Sequence, residues 1–230
     1  FPSGFSKVSR KVNPLPSSLP PLLALTCDAW AEPHSVQVDR MLEAGVSFIQ
    51  FRSKKLEGGE LLREAFRSAE LARERGALLV INDCPVLAAE SRAGGVHLGM
   101  EDGSPVEARR ILGDQALIGR TVHSAAEAEM VRQERDCDYV GLGPIRASRT
   151  KTDLDLVLEV EEVLCITAAL SPVPVFLIGG LASADFDLVP RLGVAGLAVC
   201  SALSETNCFG RNLAAFVARA KAIEREEVVS

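Results

Sequence analysis

The 230-residue chain has few rings: one Trp, one Tyr and nine Phe. Its core must be built mainly from Ala, Val, Leu and Gly, a mixture that suits short buried strands covered by helices. No apolar run approaches the ~18 residues of a membrane span. Basic charge is not in excess. The formal net charge is −6, which argues against general nucleic-acid binding. Small anionic ligands stay open, because a local basic loop can act inside an acidic protein. The six cysteines, Cys27, Cys84, Cys137, Cys165, Cys200 and Cys208, form no CxxC pair. They read as reduced cytosolic thiols and not as a disulfide framework. No internal repeat of roughly 20–50 residues stands out beyond a βα unit.

What is present is a large apolar fraction, 47%, enough for a sizeable core. It is unevenly spread. Residues 1–20 contain no acid, four Pro and five Ser. They read as a flexible N-terminal arm, with residues 21–230 as a single domain. The basic, Ser-rich arm also suits a transit-peptide remnant, with an incidental extension preferred. The expected location is cytoplasmic, with organelle import left open by this arm.

After the arm, apolar runs alternate with amphipathic stretches. Strands are expected at Leu22–Thr26, Phe48–Arg52, Leu78–Asn82, Gly95–Leu98, Leu117–Thr121, Tyr139–Gly143, Val175–Ile178 and Leu197–Cys200. Helices are expected at Val36–Ala44, Gly59–Arg75, Ser104–Leu112, Ser124–Arg135, Leu154–Leu170, Ala184–Leu192 and Asn207–Arg225. Ser104 followed by Pro105 is a helix start, and Ser124 with Glu127 is a capping box. This alternation predicts an α/β fold, a single (β/α)8 TIM barrel. A doubly wound sheet would need a Gly-rich turn after the first strand, where the sequence is Cys27-Asp28-Ala29-Trp30.

In a barrel the site is built where strands end. The second strand ends in Gln50, Arg52 and Lys54, alternating with Phe51 and Ser53, so they share one side. Two cations and an amide suit a pyrophosphate, against the plainer reading of a solvated strand edge. The third strand ends in Asn82-Asp83, and the fourth runs into Met100-Glu101-Asp102. Asp83 and Asp102 are placed to share Mg²⁺, which takes one or two carboxylates with phosphate oxygens and water. A helix-start acid is the plainer reading of Asp102. His97 reads as a satisfied interior histidine. Thr121 is a candidate ligand contact. His123 is either an acid/base group or a hydrogen-bond partner of the following helix start. Gly179-Gly180 and Cys200-Ser201 after the last two strands read as a phosphate site. Cys200 is a packing residue there, since no base is attached to it. The stretch Asp138–Lys151, DYVGLGPIRASRTK, opens from a buried strand into a loop bearing Ser148, Arg149, Thr150 and Lys151. Hydroxyls and cations suit an oxyanion, against an ordinary basic loop.

Together, QFRSK at Gln50–Lys54, IND at Ile81–Asp83, GGVHLGMED at Gly94–Asp102 and IGRTVHS at Ile118–Ser124 resemble the thiamine phosphate synthase family. DYVGLGPIRASRTK, IGGL at Ile178–Leu181 and GLAVCSAL at Gly196–Leu203 extend the resemblance. It implies an enzyme, a transferase that joins hydroxymethylpyrimidine diphosphate to thiazole phosphate and releases pyrophosphate. It implies that Gln50, Arg52, Lys54, Asn82, Thr121 and Lys151 meet the pyrimidine diphosphate. Arg52, Lys54 and Lys151 are then the catalytic cations, and Asp83 and Asp102 the Mg²⁺ ligands. Ser148, Thr150, Gly180, Cys200 and Ser201 match thiazole-phosphate or loop positions. The implied partners are these small substrates, with no nucleic acid and no membrane; a homodimer is an option. The sequence departs from the family's usual pattern at Ser53, Met100, Arg146 and Ala147–Lys151. The related thiazole tautomerases resemble the chain at His123. A non-catalytic phosphate-binding paralogue is the third reading.

Overall fold

A computed structural model describes residues 18–134, 136–146, 158–203 and 209–229. Eight parallel strands pair in chain order and close, the last against the first. They are β1 Leu22–Leu25, β2 Phe48–Phe51, β3 Leu78–Asn82, β4 Gly95–Leu98, β5 Leu117–Val122, β6 Tyr139–Leu142, β7 Val175–Ile178 and β8 Gly196–Val199. The helices are α1 His34–Glu43, α2 Gly58–Glu74, α3 Pro85–Ser91, α4 Pro105–Leu112, α5 Ala125–Glu134, α6 Val160–Leu170, α7 Leu188–Leu192 and α8 Phe209–Val229. Short 3-10 turns at Ser183–Asp187 and Ser201–Leu203 follow β7 and β8. The expected (β/α)8 barrel is the observed fold.

Side chains alternate across each strand, so one strand serves two cores. Leu22 and Ala24 pack outward with Ile49, Leu79 and Ile118 against the helices. Leu23, Leu25, Phe48, Val80, Leu117, Tyr139, Phe176 and Ala198 fill the interior. Phe48, Tyr139 and Phe176 meet edge to face, with ring centroids 5.4–5.8 Å apart. Such pairs add about 0.5–1.5 kcal/mol each beyond their burial. Three of the eleven Phe, Tyr and Trp rings thus stand together at one level of the barrel. Gly119 makes room for them: a Cβ there would stand 2.2 Å from the Tyr139 ring and 2.5 Å from His97 Nδ1.

Three elements differ from the sequence expectation. The helix α3 was not expected; its signals are Pro85 at the first turn and Cys84 Sγ accepting the Leu87 N–H at 3.4 Å. It is only seven residues long and ends on Arg92, with φ 60, where a Gly would have marked the stop. The helix expected from Leu154 begins at Val160. The stretch Ala184–Leu192 divides into a 3-10 turn and α7. The five described cysteines are free thiols. Residues 1–17 of the arm, and Cys208, lie outside the described residues. Among the described residues no helix is long and apolar enough to cross a membrane.

Candidate active site

The parallel order gathers all eight strand ends at one mouth. Gln50, Asn82, Thr121 and Cys200 lie at the inward parity set by Phe48, Val80, Leu117 and Ala198. Gln50 is buried in β2. Arg52, just past the strand, is bracketed by Thr26: its N–H donates to Thr26 Oγ1 at 2.8 Å, and its carbonyl accepts from that hydroxyl at 3.1 Å.

Lys54 Nζ lies 3.5 Å from Asp83 Oδ2. Asp83 follows β3 directly in a left-handed conformation, φ 66, which Asp tolerates better than most residues. Its N–H donates to the His97 carbonyl at 2.8 Å, fixing it to the neighbouring strand. Asp102 comes from the β4–α4 loop, and its Oδ2 accepts the Gly99 N–H at 2.7 Å. A Cβ on Gly99 would stand 2.7 Å from that same oxygen, so any side chain there would displace the carboxylate. The two carboxyl groups are in hydrogen-bonding contact. Burial first, and then the bond and charge of Asp102, push the Asp83 carboxyl up to about 6, with Lys54 opposing. Two facing carboxylates are an oxygen donor set for a hard divalent cation that keeps water and phosphate oxygens. Among the described residues no cluster of three or more His, Cys, Asp or Glu is placed to hold a metal.

Below the carboxylates, His97 Nδ1 is 2.9 Å from Tyr139 Oη and Nε2 is 2.9 Å from Thr121 Oγ1. Burial pulls the imidazole down to about 4, so the ring is neutral near pH 7. It is the satisfied interior histidine that the sequence suggested, and it occupies the Thr121 hydroxyl. At the next strand end, Glu127 Oε2 accepts the His123 N–H at 2.7 Å and lies 3.0 Å from His123 Nδ1. The Glu127 N–H donates to Ser124 Oγ at 3.3 Å. The expected capping box is therefore shifted: the glutamate returns to His123, one residue earlier. Of the two readings of His123, this geometry gives the partner of a helix start.

Gly179 and Gly180, both with positive φ, follow β7 beside β8, and Ser201 opens the turn after β8. The Cys200 thiol lies 4.0 Å from the Thr26 carbonyl and contacts the Cys27 thiol. The contact between the two thiols pulls Cys27 down to about 6 and pushes Cys200 well up. Ser148, Thr150 and Lys151 lie outside the described residues. Ahead of them, past β6, the Arg146 guanidinium forks onto Asp185 at 2.5 and 2.7 Å. Asp185 Oδ2 also takes the Ala182 N–H at 2.7 Å. Burial alone would raise the Asp185 carboxyl; Arg146 and this N–H hold it below its ordinary value.

Sequence reasoning missed three supports. Thr26 and Asp28 lie past β1, where only the lack of glycine had been read. Arg120 is buried in β5, donating to the Gly103 carbonyl at 2.7 Å and the Met100 carbonyl at 3.4 Å. It thereby holds the loop that carries Asp102. A lone Arg inside the apolar strand LIGRTV was its signal. Arg146 with Asp185 is the third.

The sequence pattern of the thiamine monophosphate synthase family matches residues 22–203, from β1 to the turn after β8. The chain belongs to the thiamine monophosphate synthase family. A thiamine-phosphate synthase of Synechococcus sp. (strain WH7803) is 40% identical over 73% of this chain and 46% of that protein. One from Azorhizobium caulinodans is 38% identical over 72% of this chain and 77% of that protein. The chain thus spans about half the length of several curated relatives. Among solved structures, a thiamine phosphate pyrophosphorylase from Pyrococcus furiosus superimposes with TM-score 0.78 at 26% identity, covering 89% of this chain and 96% of that one.

Proposed function

We propose that this family member is a thiamine phosphate synthase, joining hydroxymethylpyrimidine diphosphate to thiazole phosphate. The observation that carries the reading is the Asp83–Asp102 carboxylate pair with Lys54 against it, at the mouth of a barrel of this family. Asp83 and Asp102 would hold Mg²⁺, which supplies counter-charge to the diphosphate as it becomes a leaving group. The facing carboxylates fit such an ion, because a divalent cation would offset the repulsion from Asp102 that helps raise the Asp83 carboxyl.

The chain's own residues do the rest. Arg52 and Lys54, with Lys151 by resemblance, bind the diphosphate oxygens. Gln50 and Asn82 orient the pyrimidine, and Thr121 stays near it while engaged with His97. The bond between the pyrimidine methylene and the diphosphate oxygen breaks, and its electron pair leaves on oxygen. The aminopyrimidine stabilises the cation that remains. The thiazole nitrogen then donates its pair to the methylene and forms the new C–N bond. Gly180 and Ser201 receive the thiazole phosphate, with Ser148 and Thr150 in the loop. No protein nucleophile is needed, so preorganised charge is the main catalytic term.

The test is an assay with both phosphorylated substrates, with and without Mg²⁺. Thiamine phosphate and pyrophosphate are expected in equal amounts, and only with metal. Product formation at an equal rate in chelator removes the metal assignment. Isomerised thiazole without condensation would mark a tautomerase, and binding without turnover a phosphate-binding paralogue.

A further inference from the structure

The β1–α1 loop grips the segment that carries the two cations, and the mechanism above uses none of it. Asp28 Oδ1 accepts the Ser53 hydroxyl at 2.5 Å and lies 3.0 Å from His34 Nε2. Asp28 Oδ2 accepts the Lys54 main-chain N–H at 2.6 Å. Its carbonyl accepts from Lys55 Nζ at 3.5 Å. Two residues earlier, Thr26 brackets the main chain of Arg52. Four successive residues, Arg52–Lys55, are thus tied to the stretch Thr26–Asp28. His34, at the start of α1, backs both anchors, with Nδ1 2.9 Å from Thr26 Oγ1.

The bonds fix protonation at one atom. Asp28 is held ionised: burial would raise its carboxyl, but the bonds from Ser53, Lys54 and His34 pull it below its ordinary value. A carboxylate only accepts, so His34 Nε2 carries the hydrogen and donates. Ser53 gives its proton to Asp28 and its oxygen to the N–H of Leu56 at 3.1 Å. This closes the loop behind Lys54. The Lys54 side chain is largely exposed, so its backbone is what sets its reach.

We propose that Asp28, seated on His34, is a positioning residue for diphosphate recognition, fixing through Ser53 and the Lys54 main chain where the Lys54 ammonium stands. This rests on the reading that Arg52 and Lys54 meet a diphosphate. It makes a prediction of sign. Asp28 is an anion near an anion site, so Coulomb's law alone says that neutralising it tightens pyrophosphate binding. Positioning says that binding weakens.

The test measures inorganic pyrophosphate binding with Mg²⁺ present, by calorimetry, for wild type, Lys54→Ala, Asp28→Asn and the double variant. Asp28→Asn is expected to weaken binding by about fivefold to tenfold, within what a small misplacement costs. The KM for the diphosphate substrate rises by the same factor, and that for the monophosphate substrate stays within about twofold. The double variant binds no more than about twofold weaker than Lys54→Ala, because Asp28 acts through that lysine. Ser53→Ala gives a smaller loss in the same direction, and it carries the test should Asp28→Asn fail to fold. Unchanged or tighter binding in Asp28→Asn overturns the proposal. So does a double variant in which both losses multiply, or equal rises in both KM values. Wild-type binding in Lys54→Ala instead overturns the diphosphate reading itself.

Discussion

Asp83 and Asp102, carried from neighbouring strands, face each other closely enough to share a hydrogen bond, and Lys54 Nζ stands 3.5 Å from Asp83 Oδ2. The three groups set one cation against two facing carboxylates, and their balance depends on what binds there.

Asp83→Asn and Asp102→Asn each keep size and remove one charge. Each is expected to lower the synthase rate by about 10²–10³, the cost of losing one preorganised electrostatic group. High Mg²⁺ should restore part of it. In metal-free protein the melting temperature should hold or rise, since repulsion between carboxylates is relieved. Rate against Mg²⁺ concentration checks this; variants equal to wild type at low Mg²⁺ would place the metal elsewhere.

Gly99→Ala touches neither substrate nor cation. Its methyl would meet Asp102 Oδ2 at 2.7 Å and displace the carboxylate. The expected result is weaker Mg²⁺ activation, by roughly tenfold or more in half-saturating concentration, as for other supports one step removed from a metal ligand. A Mg²⁺ titration of the variant, read beside its circular dichroism, separates this from unfolding. Wild-type activation would show that the loop relaxes freely.

Tyr139→Phe leaves the His97 imidazole with one buried nitrogen unpartnered. The expected loss of stability is about 1–3 kcal/mol, read from urea unfolding. KM values should move little, because Tyr139 lies in the interior beneath the mouth. A large KM change with unchanged stability would assign the hydroxyl to substrate.

His97 gives a pH dependence. Its folded value, about 4, lies below its ordinary 6.5, so the native state binds the proton less well than the unfolded chain. The stabilisation is fully present above pH 6.5 and is lost as the pH falls through about 4. Relative to His97→Gln, wild type should lose stability over that window. Urea midpoints for both proteins between those limits check it, and parallel curves would refute a neutral buried ring.

The barrel was legible because parallel strands buried on both faces read as apolar runs, and each of the eight is flanked by turn residues. The short helix α3 was not, because seven residues give barely two turns of periodicity and its stop is an Arg. Asp83 and Asp102 were legible as polar residues where a core strand should end. The contacts that hold them were not, since the partners of Arg120 are main-chain carbonyls 17 and 20 positions away. Asp28 escaped for a related reason. Its partners lie 6, 25 and 26 residues distant, and nothing in Cys27-Asp28-Ala29 announces them.

The edge-to-face rings of Phe48, Tyr139 and Phe176 close the barrel's bore beneath the mouth. Among the described residues the site is therefore a cul-de-sac along the axis. Under the proposed reaction, two substrates and two products would share one doorway.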